Sequence, residues 1–417
     1  YSLIDKVSSL RNLRSAFAQV KSNKGSAGVD RVTIGMFEAH LEKNLQSLSE
    51  QLKEGRYRPQ AIRRVWIPKP GSREKRPLGI PTVRDRVVQT VLRNVLEPIF
   101  ERDFAAQSYG FRPERSAKDA LRRVAELLKG GYVYVVDADL QSYFDTIPCQ
   151  RLLEQVRSKV ADSKVLELIE AYLGQEVLEG AQHWTAERGT PQGAVISPLL
   201  SNIYLDLLDH RMAQLGYEMV RYADDFVILC RSQSEAQRAL AEVESWTAAA
   251  GLRLHPDKTR IVDATQKGGF DFLGYHFERG YRWPSPKSLR KLRDKIRSQT
   301  RRTNGHSLQR VVSELASVQR GWFEYFKHSH RSIFLTLDKW LRMRLRSILR
   351  HRHGKQGRGR GKDHNRWPNT YFAELGLFSF TTAYAQAVNP LRGKTTNRRA
   401  GCGKSARPVR REGGPGY

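Results

Sequence analysis

At 417 residues with 39% hydrophobic content, the chain is long enough for two or three domains and apolar enough to bury a core, which excludes a disordered tail. Its 72 Lys and Arg against 43 Asp and Glu give a formal charge of +29, so a polyanionic partner is expected, nucleic acid first; 16 Phe, 16 Tyr and 7 Trp argue against a short histone-like protein. Cys149, Cys230 and Cys402 form no paired spacing, so neither a zinc module nor a disulfide framework is supported.

No apolar run is long enough to span a bilayer and no signal-peptide core opens the chain, so a soluble, cytoplasmic protein without a membrane partner is expected. Because the first residue is Tyr1 rather than Met, a few further N-terminal residues are expected in the native protein.

Residues 3–52 carry apolar positions near a 3.6 spacing and are predicted helical, broken at 24–30, where Gly25 and Gly28 mark a small basic loop. Residues 62–80 alternate β-branched and polar side chains around Pro68-Lys69-Pro70-Gly71, the pattern of a hairpin with a basic turn. Helices follow over 84–100 and 116–129, the second capped by Ser116 with Asp119 at its third position. A buried-type strand over 132–136 ends in Asp137-Ala138-Asp139. Helices over 149–173, a Gly-rich turn at 189–193 and a helix over 198–215 come next.

Strands over 218–222 and 226–229 then form a hairpin with two carboxylates, Asp224 and Asp225, in its turn. A helix over 234–250, a strand-like stretch over 252–262 and a hairpin-like stretch over 269–277 complete an alternating region. Residues 287–349 are helical by spacing and basic, with the aromatic cluster Trp322, Phe323, Tyr325 and Phe326 read as core. From 351 the chain is rich in Gly, Arg and Lys apart from an apolar island over 367–384. Residues 341–417 hold 18 basic against 3 acidic residues, so this end is expected to be only partly ordered without its partner.

Adjacent carboxylates repel, and one is forced to protonate unless a cation sits between them. The pair Asp224-Asp225, flanked by apolar strands that would bury it, therefore asks for a metal, and a neighbouring strand could bring Asp139 to the same place. Oxygen-only ligands favour Mg²⁺, and two such ions are a common means of activating a 3′-hydroxyl and stabilising a leaving pyrophosphate. Taken alone, Tyr222-Ala223-Asp224-Asp225 fits an exposed acidic turn equally well.

Order and company decide between these readings. Val135-Val136-Asp137-Ala138-Asp139-Leu140-Gln141-Ser142-Tyr143-Phe144-Asp145, Gly189-Thr190-Pro191-Gln192-Gly193 with Ser197-Pro198-Leu199-Leu200-Ser201-Asn202, and Tyr222-Ala223-Asp224-Asp225 follow one another along the chain. Gly251-Leu252-Arg253-Leu254-His255-Pro256-Asp257-Lys258-Thr259 and Phe272-Leu273-Gly274-Tyr275 come after them. This succession resembles the polymerase motifs of reverse transcriptases. Arg76-Pro77-Leu78-Gly79-Ile80-Pro81 and Tyr109-Gly110-Phe111-Arg112-Pro113 are similar to the fingers of the group II intron branch, and the 24–30 loop to its N-terminal extension. The resemblance covers residues 10–350.

It implies an α+β right-hand polymerase: an N-terminal extension and start of fingers over 1–52, fingers and an antiparallel palm over 53–282, a helical, maturase-like thumb over 283–350 and a basic nucleic-acid-binding segment over 351–417. By motif position Asp139, Asp224 and Asp225 become the catalytic metal ligands, for two Mg²⁺ ions with Mn²⁺ as a substitute. Asp139 ranks above Asp137 because it alone stands five residues before Phe144, where the family places a bulky ring that excludes a 2′-hydroxyl; core packing is the alternative for that ring. Lys69 and Arg76 would grip the triphosphate, a point charge beside a planar fork. Gln192 would contact nucleotide or template where Gly193 admits close approach.

Asp145 reads as a helix cap or surface charge, and Arg112 either meets the template or stabilises the fold. The implied partners are an RNA or DNA template with its primer, deoxynucleotides and a parent intron RNA; oligomeric state is not legible. The island around Trp367-Pro368-Asn369-Thr370-Tyr371-Phe372 is similar to the tail of bacterial group II intron proteins, and no Cys-pair or His-rich endonuclease block follows it. The leading expectation is RNA-directed DNA synthesis with maturase activity. The alternatives are a free-standing polymerase that extends short-overlap ends in double-strand break repair and a non-catalytic RNA-binding maturase.

Overall fold

In the computed structural model, which describes residues 2–68, 75–180, 182–185, 188–190, 192–359 and 361–388, the N-terminal region folds as α1 (Leu3–Ser8), α2 (Leu10–Asn23), α3 (Ile34–Ala39) and α4 (Leu41–Lys53). The spacing of Leu13, Ala16, Phe17 and Val20 puts all four on the buried face of α2. Strands β1 (Ile62–Pro68) and β2 (Lys75–Ile80) form the expected antiparallel hairpin, with Lys69 outside the described residues. Helix α5 (Val83–Glu101) is buried along most of its first half, and α6 (Ala117–Lys129) begins with the expected capping box of Ser116 and Asp119.

Beyond it lie β3 (Tyr134–Asp139), α7 (Tyr143–Thr146), α8 (Cys149–Arg157), α9 (Ser163–Leu173), β4 (Glu176–Glu179) and β5 (Gln182–Thr185). Then come α10 (Ser197–Gln214), β6 (Glu218–Tyr222), β7 (Asp225–Cys230), α11 (Gln233–Ala249), β8 (Arg260–Asp263), β9 (Phe270–Phe272), β10 (Tyr275–Glu278) and β11 (Tyr281–Pro284). The central sheet has the order β6-β7-β3-β8 with every pair antiparallel, and a second sheet runs β2-β1-β4-β5, its β1/β4 pair parallel. Strands β9 to β11 make a small meander. Among the described residues no helix is long and apolar enough to cross a membrane.

Three local expectations change. Strand β3 does not stop before its acidic residues but runs through Asp139, because β7 pairs along its whole length. The β6/β7 turn holds one carboxylate rather than two: Asp225 is the first residue of β7, paired with Tyr222. Residues 252–259 are irregular apart from a single bridge between Leu254 and Leu140, and the strand begins only at Arg260. The short hairpin β4/β5 had no periodic signal, since four residues are too few to establish one.

The chain divides after Asp294. Following α12 (Pro286–Gln299), which crosses that point, the second unit consists of α13 (Leu308–Phe326), α14 (Ser332–Arg352), α15 (Lys362–Arg366), α16 (Asn369–Glu374) and α17 (Phe380–Val388). Phe323 and Phe326 are buried, as expected of a core, and Trp322 meets Phe380 edge-on. Buried Asp338 on α14 accepts hydrogen bonds from Ser379 Oγ (2.9 Å), Phe380 N (3.0 Å) and Thr381 N (3.0 Å), satisfying the orphan donors at the start of α17. Buried Arg346 donates to Trp367 O and Asn369 Oδ1, both at 2.9 Å, so the apolar island folds onto α14.

Candidate active site

Pairing of β3 with β7 sets Asp139 directly opposite Asp225, and the two-residue turn between β6 and β7 carries Asp224 beside them. Side chains alternate along a strand, so Asp137 and Asp139 share one face of the sheet. The tight turn needs a left-handed residue, and Ala223 fills that place at φ 61°, a strain of roughly 1–2 kcal/mol.

Neighbouring backbone holds it there. A Cβ on Gly110 would lie 2.3 Å from Ala223 N and 2.9 Å from Tyr222 C, so only glycine lets the 109–112 segment press against the turn. Arg221, fully buried, donates from Nε to Asp209 Oδ1 (2.7 Å) and pairs through Nη2 with Asp209 Oδ2. Its Nη1 donates to Asn202 Oδ1 (3.0 Å) and to the turn's own carbonyl, Ala223 O (2.9 Å). Asn202 in turn donates to Gly110 O at 2.8 Å.

The carboxylates disturb one another. Burial, then the charges of Asp137, Asp224 and Asp139, push the Asp225 carboxyl up to about 7. Burial and the Asp139 charge raise Asp224. Burial raises Asp137 to about 6, with Arg260 pulling the other way and Asp271 and Asp139 adding to the rise. Asp139 is held by Lys258, whose Nζ lies 2.6 Å from Oδ2, and Arg260 Nε stands 3.4 Å from Asp137 Oδ2. Asp137, Asp139, Asp225, Lys258 and Arg260 line a cavity of about 730 Å³.

Among the described residues no three His, Cys, Asp or Glu side chains close into a ready-made metal cage. The chemistry of the donors still fits a hard cation: the candidate ligands are all carboxylate oxygens, and a bound cation would favour the ionised form of a carboxyl raised by burial and by three others.

Phe144 and Gln192 share a different, smaller cavity of about 40 Å³, with Arg64, Asp145, Arg188 and Thr190; Asp224 lines neither. Phe144 stands edge-on to Tyr143 at 5.6 Å, and Tyr143 is anchored by its hydroxyl to Ser201 O at 2.8 Å. Thr190 is tied to α7 and Gln192 to β2: Thr190 N donates to Phe144 O (2.6 Å) and Gly79 N to Gln192 O (2.6 Å). A Cβ on Gly193, at φ +104°, would lie 2.5 Å from Gly79 O. Arg76 is exposed on β2, opposite Ile67.

Arg112 stabilises the fold: it is buried, with forked bonds to Glu101 and further bonds to the carbonyls of Ala105 and Ser108. Asp145 is raised by burial, Arg64 opposing. Sequence reasoning named Lys258 and Gly110 only as members of motifs, without a role, and passed over Arg260 and the Arg221–Asp209 pair. One signal was available, since Asp209 stands four residues after Leu205 and three before Met212, a charge on the buried stripe of α10.

An antiparallel sheet carrying carboxylates at a strand pair and its adjoining turn, in a chain of this charge, defines the palm of a nucleic-acid polymerase. The chain belongs to the reverse transcriptases: the family described as reverse transcriptase (RNA-dependent DNA polymerase) matches residues 67–277, and the group II intron maturase-specific domain matches residues 289–367. Protein YkfC of Escherichia coli (strain K12) is 36% identical over 300 residues, covering 62% of this chain and 78% of that protein. Group II intron-encoded protein LtrA of Lactococcus lactis subsp. cremoris is 39% identical over 209 residues, 49% of this chain and 34% of LtrA, so the match spans about a third of the longer protein. A solved structure, a partial Cas6-RT-Cas1–Cas2 complex, has a chain 26% identical to this one over 60% of its length and 42% of that chain, with a TM-score of 0.40. The group II intron branch, the α+β reverse transcriptase fold and the enzyme class RNA-directed DNA polymerase, all expected from the motifs, are borne out.

Proposed function

We propose that this chain extends a primer 3′-hydroxyl with deoxynucleotides on a nucleic-acid template, with Asp139, Asp224 and Asp225 holding two Mg²⁺ ions. The observation that carries the reading is the placement of Asp139 directly opposite Asp225, with Asp224 in the adjoining turn and the carboxyls of Asp224 and Asp225 raised by burial and then by their acidic neighbours. Bound divalent ions would supply the charge that activates the hydroxyl and steadies the leaving pyrophosphate. The chain's own residues do the rest. Lys258 bonds Asp139 Oδ2 and fixes that side chain beside the strand pair. The Arg221 network holds the turn at a fixed height above the sheet. Phe144, braced on Tyr143, excludes a 2′-hydroxyl; Gln192 faces the same cavity and orients the nucleotide, and Arg76 with Lys69 grips the triphosphate.

Asp224→Asn and Asp225→Asn are each expected to lower Mg²⁺-dependent primer extension by at least about 100-fold, while affinity for a primer–template, measured by fluorescence anisotropy, stays within about 2-fold because the bulk of the basic surface is untouched. Normal extension by both variants sinks the assignment.

The match to a maturase-specific domain over 289–367 favours a second activity, stabilisation of a parent intron RNA for splicing. The same Asp225→Asn protein separates the two, since it should retain intron binding and splicing support while losing DNA synthesis.

A further inference from the structure

Two further side chains in the wall of the 40 Å³ cavity beside Phe144 are polar and almost wholly buried, Thr190 at 2% exposure and Gln175 at 4%. Thr190 Oγ1 and Gln175 Oε1 each lack a hydrogen-bond partner among the described residues. Both residues are fixed in place. Gln175 Nε2 donates to Gln60 O, which sets the orientation of the amide, and Thr190 N donates to Phe144 O at 2.6 Å. A hydroxyl that donates and an amide oxygen that accepts are complementary, yet these two do not bond each other. Leaving both unpaired is costly, so an occupant of the cavity they share is called for.

The wall narrows the choice of occupant. Arg64 and Arg188 oppose a cation, whereas the Gln175 oxygen and the Asp145 carboxyl oppose an anion. Much of the remaining wall is apolar, Leu173 and Val177 included, and offers nothing to a larger polar group. A volume of about 40 Å³ is filled by roughly one to three waters. Water both donates and accepts, which is what a hydroxyl and a carbonyl out of each other's reach require.

We infer that this cavity is a hydration site in which ordered water bridges Thr190 Oγ1 to Gln175 Oε1, and that the Phe144 ring rests partly on that water rather than on packed side chains. A ring backed by water yields further than one backed by carbon, because a close-packed side chain cannot leave. The hydrated pocket is therefore a determinant of sugar selection. This second step rests on the reading of Phe144 as the ring that excludes a 2′-hydroxyl; the hydration does not.

Hydration is tested on the full chain. Thr190→Val keeps the shape of the side chain and deletes the hydroxyl. With water bound, the change strands that water and the Gln175 oxygen, and the melting temperature should fall by about 2 °C. In a dry cavity the same change removes a costly orphan and the melting temperature rises. A rise or no change overturns the hydration site, as does a high-resolution crystal structure with the cavity dry.

Selection is read as the ratio of deoxynucleotide to ribonucleotide incorporation. Thr190→Ile fills the cavity with carbon and should raise that ratio by about 10-fold, the low end of the worth of one methylene in a pocket. Thr190→Ser, which keeps the hydroxyl, should stay within about 2-fold of the native ratio. Should Thr190→Ile fail to fold, Val177→Ile adds one methylene to the same wall and takes its place. In a Phe144→Ala background the filling change should have no effect, because the ring that senses it is gone. If Phe144→Ala alone leaves the sugar preference unchanged, the reading of the ring fails and the selection step with it. If Phe144→Ala relaxes the preference while the filling change does nothing, or acts equally without the ring, the reading of the ring stands and the inference falls.

Discussion

Asp225 sits at the start of β7 among three other carboxyls, and its own is pushed up to about 7 from an ordinary 3.8. A carboxyl raised in the fold above its unfolded value works against folding, because the folded state prefers the proton. The penalty is absent below about pH 4, grows as pH rises through the interval between the two values and is constant above about 7. Asp225→Asn removes it. In metal-free buffer at pH 8 this variant should therefore be more stable than the native chain by about 1–3 kcal/mol, and the gain should vanish as pH falls toward 4. Chemical denaturation at the two pH values checks this, and a variant less stable at pH 8 contradicts it.

Phe144 belongs to the same scale. Its ring lines one cavity while Asp139 and Asp225 line another, so its proposed role depends on a sugar reaching from one to the other. Phe144→Ala should raise ribonucleotide incorporation relative to deoxynucleotide by at least about 10-fold, the scale of removing one steric contact of a methylene or more. An unchanged sugar preference returns the ring to plain packing.

At the scale of elements, the β6/β7 turn is held by its neighbours rather than by its own residues. Arg221 on β6 meets Asp209 on α10, and the same guanidinium bonds Asn202 and the Ala223 carbonyl. A fully buried ion pair is not a source of net stability, but breaking one half is costly. Arg221→Met should destabilise the fold by about 3–5 kcal/mol because it strands the Asp209 charge. Arg221→Met with Asp209→Leu should recover most of that loss. If the pair exists to hold the turn, the double variant will fold well and still extend primers poorly, with the deficit in kcat rather than KM for the nucleotide; full activity in the double variant refutes this.

The elements also show where sequence reading works. Strands β6 and β7 were legible because apolar runs flank a turn, and α6 because Ser116 and Asp119 form a capping box. The strand expected over 132–136 with acidic residues at its end extends further than its apolar run, because pairing to β7 carries the ladder through Asp139.

For the whole molecule, the surplus of positive charge pointed to a polyanionic partner before any element was placed, and its density in the C-terminal part continues into the second unit, where four arginines share a recess. Charge counts are additive and survive without coordinates; their grouping does not. The apolar island over 367–384, read as an isolated stretch within a basic tail, is folded onto α14 by Asp338 and Arg346, two charged residues whose targets lie 21 to 43 positions further along.

From the sequence by itself came the family, the order of the polymerase motifs, the three aspartates as candidates and the helical character of the second unit. These follow from local patterns: periodicity, turn residues and short motifs whose spacing is set within a few positions. Only the tertiary structure decided that Lys258 is the cation on Asp139, that Gly110 and Arg221 hold the Ala223 turn, and that Arg297, Arg302, Arg344 and Arg358 converge. Those contacts join residues far apart in the chain, where no periodicity links them, and depend on which strand pairs with which and on which side chains burial leaves together.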